Sequence, residues 1–167
     1  YARYDGNRDG TDDVIWDRPG GETRTSDNFP VVPLVINQQA HLFGVGYDVT
    51  PTWSLNLLIP LIHQNTDHRS VIPGFDEFLI SSSGIGDVSL SVSHPIWERD
   101  RHFVVASVGA SAPIGALDEI GPTPRDATMD TQLPYTMQIG SGTFDLIPSL
   151  VYSGRSERYS WGARVRT

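Results

Sequence analysis

Apolar and polar residues alternate with a period of two along most of the chain, the mark of β-strands that present two unlike faces. Tyr1 to Tyr4 reads as the tail of one strand, followed by a polar stretch from Asp5 to Asn28. From Leu34 to Val49 one face carries Phe43, Val45 and Tyr47, and the other Ala40, Leu42, Gly44, Gly46 and Asp48. The short link Thr50-Pro51 leads to a run in which Trp53, Leu55, Leu57, Ile59 and Leu61 oppose Ser54 and Asn56, so this pair predicts a hairpin. A polar loop over Gln64 to Ser83 precedes the sharpest alternation, Gly84 to Trp97, where Val88, Leu90, Val92 and Ile96 oppose Asp87, Ser89, Ser91 and Ser93. Beyond the tight turn Glu98 to Arg101, Val104, Ala106, Val108, Ala110 and Ala112 oppose Val105, Ser107, Gly109 and Ser111. A long loop, Gly115 to Leu133, gives way to a strand-like run from Tyr135 to Tyr152. After the turn Ser153 to Arg158, a last strand sets Trp161, Ala163 and Val165 against Gly162, Arg164 and Arg166.

The connections alternate between long and short, so tight turns fall at one end of the strands and wide loops at the other. That asymmetry is characteristic of outer-membrane barrels. Aromatic residues gather at the short-turn end: Tyr47 and Trp53, Trp97 and Phe103, then Tyr152, Tyr159 and Trp161. Amphipathic rings favour the membrane interface, so one girdle is expected there. A strand of about ten residues at ~3.3 Å each, tilted by ~45°, rises roughly 23 Å, close to the apolar band of such a barrel.

Composition agrees with this pattern. The 167 residues include 16 Gly and 12 Pro, all 12 cations are Arg, and Asp outnumbers Glu 15 to 5. Asp favours turns whereas Lys and Glu favour helices, so helical architecture is disfavoured. The net charge of -8 argues against nucleic acid as a partner, because phosphate binding needs a basic stripe. Cysteine is absent, which removes disulfides, zinc thiolates and thiol nucleophiles. No window reaches the ~18 apolar residues of a membrane-spanning helix, and the mean hydropathy of -0.24 would ordinarily indicate a soluble chain. A β-barrel escapes that inference, since only alternate residues of its strands are apolar.

Specific chemistry is sparse. Asp5, Asn7, Asp9, Thr11 and Asp13 alternate through DGNRDGTDD with Gly10 after the third, a spacing like the first half of a calcium loop. The closing acid is missing: Trp16 stands in its place and Asp17 falls one residue late. A solvated Asp/Gly turn is the alternative reading of the same residues. His41, His63, His68, His94 and His102 form no ligand pair on one element. There is no G-x-S-x-G elbow, Ser81 to Ser83 have no neighbouring His-acid pair, and the adjacent Asp118 and Glu119 point apart. Gly84-Ile85-Gly86 lacks the third glycine and helix of a dinucleotide fingerprint. An enzyme is not expected.

The polar faces are more informative. Ser54, Asn56, Asp87, Ser89, Ser91, Ser107, Ser111, Arg164 and Arg166 suit the lining of a lumen that holds water or a polar plug. The competing arrangement is a secreted, soluble β-sandwich binding module with the apolar face inward.

Three stretches carry a family resemblance: Leu133 to Val165, Ser81 to Ser91 (SSSGIGDVSLS), and GNRDGT at Gly6 to Thr11. With Ser-Ala-Pro-Ile-Gly and Gly140-Ser141-Gly142-Thr143, they resemble the outer-membrane proteins grouped as the meta-pathway of phenol degradation family. The likeness runs over most of the chain. It implies an outer-membrane barrel in a bacterial cell, lipid as its surroundings, and passage of small aromatic or hydrophobic solutes. It implies no catalytic residues, and this chain lacks the Met-rich character common around the family's first strands.

The expectation is therefore all-β: an antiparallel up-and-down transmembrane β-barrel of which residues 1–167 supply about seven strands, the first a stub. Single-chain bacterial barrels close with an even number of strands, at least eight, so further strands are expected to complete it.

Overall fold

A computed structural model describes the backbone of residues 1–9, 12–14 and 31–167, and the side chains of 1–6, 31–126 and 129–167. Its strands are β1 (Ala2–Asp5), β2 (Asn7–Asp9), β3 (Asp12–Val14), β4 (Val31–Thr50), β5 (Trp53–Ser70), β6 (Glu77–Ile85) and β7 (Val88–Arg99). They continue with β8 (His102–Ala112), β9 (Ile120–Thr123), β10 (Asp126–Gln132), β11 (Asp145–Arg155) and β12 (Ser160–Arg166). A single 3-10 turn, Tyr135–Met137, is the one helical element among the described residues. The main sheet is antiparallel in the order β1-β4-β5-β7-β8-β11-β12, and β6 also pairs with β5. The fold is all-β and up-and-down, as the alternation predicts.

The chain forms two compact units. The first comprises Tyr1–His41, Leu61–Gly84 and Ala116–Ile139; the second comprises Leu42–Pro60, Ile85–Gly115 and Gly140–Thr167. The long strands β4 and β5 contribute residues to both.

The first unit holds a conventional core. Val32, Ile80, Leu133, Met137 and Ile139 are buried, and Phe78 packs on the Ile80, Leu133 and Met137 cluster. Buried polar groups beside it are satisfied. Gln38 Nε2 donates to Gln64 Oε1 at 2.9 Å, Gln64 Nε2 to Ser82 Oγ at 3.1 Å, and Ser82 Oγ to the Met137 carbonyl at 2.6 Å. His68 stacks on Phe78, with ring centroids 4.9 Å apart. Burial pushes its imidazole below the ordinary value, against the opposing pull of the Thr66 carbonyl and Asp67.

Here the structure departs from the alternation pattern. Gln64 to Ser83, which reads as a loop, is mostly strand: β5 runs to Ser70 and β6 begins at Glu77. The signal is hidden because Gln64, Thr66, Ser70 and Ser82 are polar yet buried, so no apolar face marks the strands. Likewise Gly115 to Leu133 carries the β9–β10 hairpin. The run expected from Tyr135 to Tyr152 is strand only from Asp145, because Gln138–Phe144 includes Gly142 at a positive φ of 74°.

The second unit is a strongly curled antiparallel sheet, an open half-barrel, built from β7, β8, β11, β12 and the second-unit portions of β4 and β5. Its three tight turns are the short connections that the sequence predicts. Thr50 Oγ1 accepts from the Thr52 and Trp53 amides at 3.3 and 3.0 Å. Asp100 turns β7 into β8 with a positive φ of 54°, a conformation that Asp tolerates in two-residue hairpins. Ser156 Oγ accepts from the Arg158 and Tyr159 amides and closes the third turn. The single run expected from Gly84 to Trp97 is broken at Gly86-Asp87 into β6 and β7.

Candidate functional site

In the second unit the usual distribution of apolar and polar side chains is reversed. No large hydrophobic residue among its described residues is buried. Phe43, Leu90, Val108 and Leu146 are 56%, 52%, 55% and 71% exposed. The register gathers Leu90, Val108 and Leu146 into rows on one face, Leu57–Leu90–Ala110–Leu146 and Leu55–Val92–Val108–Pro148.

The opposite face carries rows of small polar residues. Ser54 pairs with Ser93, Ser93 with Ser107, Ser107 with Ser149, and Ser149 with Arg166, one row across five strands. At ~4.8 Å per strand gap the row follows the curled wall for roughly 19 Å. Ser107 and Ser149 share a hydrogen bond of 3.0 Å, and Asn56 Nδ2 donates to Ser93 Oγ at 3.2 Å. A second row runs Asn56–Ser91–Gly109–Ile147. Glycine is required at its centre, since a Cβ on Gly109 would lie 2.9 Å from Ser91 Cβ and 3.2 Å from the Leu90 carbonyl.

These rows line a cavity of about 530 Å³. Asn56, Ser89, Ser91, Ser107, Arg164 and Arg166, six of the nine residues predicted to line a lumen, lie on its wall. The other three, Ser54, Ser111 and Asp87, stand apart from the cavity, and only the two serines lie within strands. Ser54 donates to the Asp48 carboxylate at 2.5 Å. Ser111 is nearly buried and in register with Ser89 and Asp145.

Asp87 stands in the break between β6 and β7, outside both strands. Its carboxylate accepts the Gly115 amide at 3.0 Å and the Ser141 amide at 2.7 Å. Partial burial pushes its carboxyl up, but hydrogen bonds from the Ser141 side chain and from the Ser141 and Gly115 amides outweigh this and hold it below the ordinary value. Gly115 and Gly140 approach so closely that a Cβ on Gly140 would fall on the Gly115 carbonyl. Both second-unit ends of the intervening segment, residues 116–139, are therefore tied to one carboxylate.

Ser93 and Ser149 also line the cavity. Ser149 shares its face of β11 with Ile147 and Val151, which line the cavity with it, so no polar period marks this face in the sequence. Two of the histidines that form no ligand pair in the sequence belong to aromatic clusters. His94 stacks on Trp53 with ring centroids 4.3 Å apart. His102 Nδ1 lies 2.8 Å from the Tyr152 hydroxyl, to which Trp161 Nε1 donates at 3.4 Å. By alternation these rings share the apolar face at the tight-turn end. A register shift between Pro95 and Trp97 sets Trp97 opposite Val104, on that same face. Phe103 pairs with Ser153 and falls on the polar face instead.

The calcium-loop residues lie largely outside the described side chains. Asp5 forms an exposed ion pair with Arg3 at 3.1 Å, and the Asn7, Asp9 and Asp13 side chains are not described. The backbone there makes the short β2–β3 hairpin, with Asp9 opposite Asp12. Among the described residues no group of three or more His, Asp or Glu could hold a metal. No described helix is long and apolar enough to cross a membrane, a statement that bears on helices alone.

No protein-family model and no curated protein matches this sequence, so the resemblance stands on the quoted motifs.

Proposed function

We propose that the second unit is part of the wall of an outer-membrane β-barrel through which small solutes diffuse. The observation that carries this reading is the reversed polarity of its curled sheet, with apolar side chains exposed on one face and serines lining the cavity on the other. A soluble protein rarely leaves so broad an apolar surface in water, whereas hydrocarbon accepts it without cost. Strands β7, β8 and β11 have 12, 11 and 11 residues. At ~3.3 Å per residue and ~45° tilt they would rise roughly 26–28 Å, enough for the apolar band. The rings at the tight turns then serve as an interfacial girdle. Bilayer would be crossed only by the second-unit portions of the strands.

The sandwich alternative fits less well. Its apolar faces must meet a second sheet, but here the face that encloses the cavity carries the serines and both arginines, while large apolar side chains of the opposite face stand exposed. The resemblance supports the same class and suggests aromatic or hydrophobic solutes. Liposome swelling with graded sugars and aromatic solutes tests the proposal: permeation with a size cutoff is expected, and liposomes that stay sealed with folded protein inserted would sink it.

A further inference from the structure

Charge is partitioned between the two units in a way that total composition conceals. The second unit contains six Asp or Glu and six Arg, so the whole net charge of -8 resides in the first. Within the second unit the acids sit at strand ends and turns. Asp48 accepts from Ser54, Asp87 is saturated by the Gly115 and Ser141 amides, Asp145 accepts from Thr143, and Asp100 lies 3.9 Å from Arg99. Glu98 and Glu157 flank tight turns.

Four of the arginines, Arg99, Arg101, Arg155 and Arg158, also sit at turns. Arg164 and Arg166 differ: they lie within β12 and line the cavity, where no carboxylate of the described residues accompanies them. Among the described residues neither is in an ion pair. Two residues apart on one strand face, their backbones are separated by roughly 6.6 Å, so the like charges repel and an anion beside both relieves the repulsion.

The neighbouring groups suit such a ligand. Arg166 ends the serine row, and Ser93 together with whichever of Ser107 and Ser149 accepts their shared hydrogen bond can turn a hydroxyl proton toward an oxygen. A guanidinium presents a planar fork of donors that matches a carboxylate with two parallel hydrogen bonds. A neutral hydrocarbon solute would use none of these donors.

We infer that the cavity prefers small organic anions, carboxylates above all, with Arg164 and Arg166 as the selecting residues and the serine row as a relay of hydroxyl donors. The inference rests on the channel reading and refines its solute class from aromatic or hydrophobic compounds to anionic ones.

The test is planar-bilayer recording of the full-length protein under a potassium chloride gradient, repeated with potassium benzoate. Reversal potentials should show chloride and benzoate passing in preference to potassium. The double variant Arg164→Gln/Arg166→Gln should lower the anion-to-cation permeability ratio by about fivefold, and Arg164→Lys/Arg166→Lys should restore it. Heat-modifiable gel migration confirms that each variant is folded. Conductance that is cation-selective, or whose selectivity the glutamine pair leaves unchanged, overturns the anion inference and leaves the channel standing. Absence of conductance from folded wild-type protein overturns the channel reading, and the inference falls with it.

Discussion

Replacing Asp87 with Ala should loosen both ends of the 116–139 segment, because the same carboxylate accepts from Gly115 and Ser141. A hydrogen bond to a charged group contributes about 1.5–3 kcal/mol when water is excluded. Asp87 is only partly buried, so water can replace part of that, and roughly 1–2 kcal/mol in total is the reasonable expectation. Amide exchange at Gly115 and Ser141 should then quicken by about tenfold, the factor that corresponds to ~1.4 kcal/mol. Asp87→Asn retains a carbonyl acceptor without the charge and should fall between the two. The pH dependence follows from the lowered carboxyl value. The stabilisation is fully present above the ordinary value of 3.8 and is lost as pH falls through the folded value. Urea unfolding in detergent at several pH values should show this step in the wild type and not in Asp87→Asn. Unchanged exchange at both amides in Asp87→Ala would refute the reasoning.

Gly140→Ala sets a methyl group against the Gly115 carbonyl, which is backbone and cannot swing away; a loss near ~3 kcal/mol is expected in thermal melts. Met137→Ala, in the core of the first unit and 2% exposed, should cost about 2–5 kcal/mol by the same measurement. Leu90→Arg should impair membrane insertion by about 2–4 kcal/mol, whereas Ser91→Arg, one residue along and on the cavity face, should insert normally and narrow conductance. His68 should titrate below its ordinary 6.5 by NMR, so its burial destabilises the fold as pH falls below 6.5 until the folded value is reached.

The sequence discloses the second unit far better than the first, and the reason is physical. Where strands separate hydrocarbon-like surface from a polar cavity, each residue is assigned by its face, and Leu55–Asn56–Leu57 or Leu90–Ser91–Val92 display the period directly. The tight turns were readable too, from Pro51 and from the polar run Glu98 to Arg101. Strands that bury polar groups give no such period: Gln64 and Ser82 are buried because they hydrogen-bond to each other, a contact between positions 18 apart. The clasp at Asp87 was invisible for the same reason, as Gly115 and Ser141 lie 28 and 54 residues away. Asp87 looked like one more polar residue of a strand face, and only the tertiary structure shows it at a break. The alternation alone places the arginine pair on the polar face, but that no acid of the described residues shares its cavity depends on where the strands place the six carboxylates of the second unit.

The central claim is that the two faces of the second-unit sheet meet lipid and water respectively. These 167 residues contain no cysteine, so each single substitution places one defined label site among them. Leu90→Cys, Val108→Cys and Leu150→Cys can be spin-labelled in bilayers alongside Ser91→Cys, Ser107→Cys and Ser149→Cys. Relaxation by lipid-soluble oxygen is expected to dominate at the first three positions, and relaxation by a water-soluble nickel chelate at the three serine positions. Equal exposure of both sets to the nickel chelate, or the opposite pattern, would contradict the barrel-wall account.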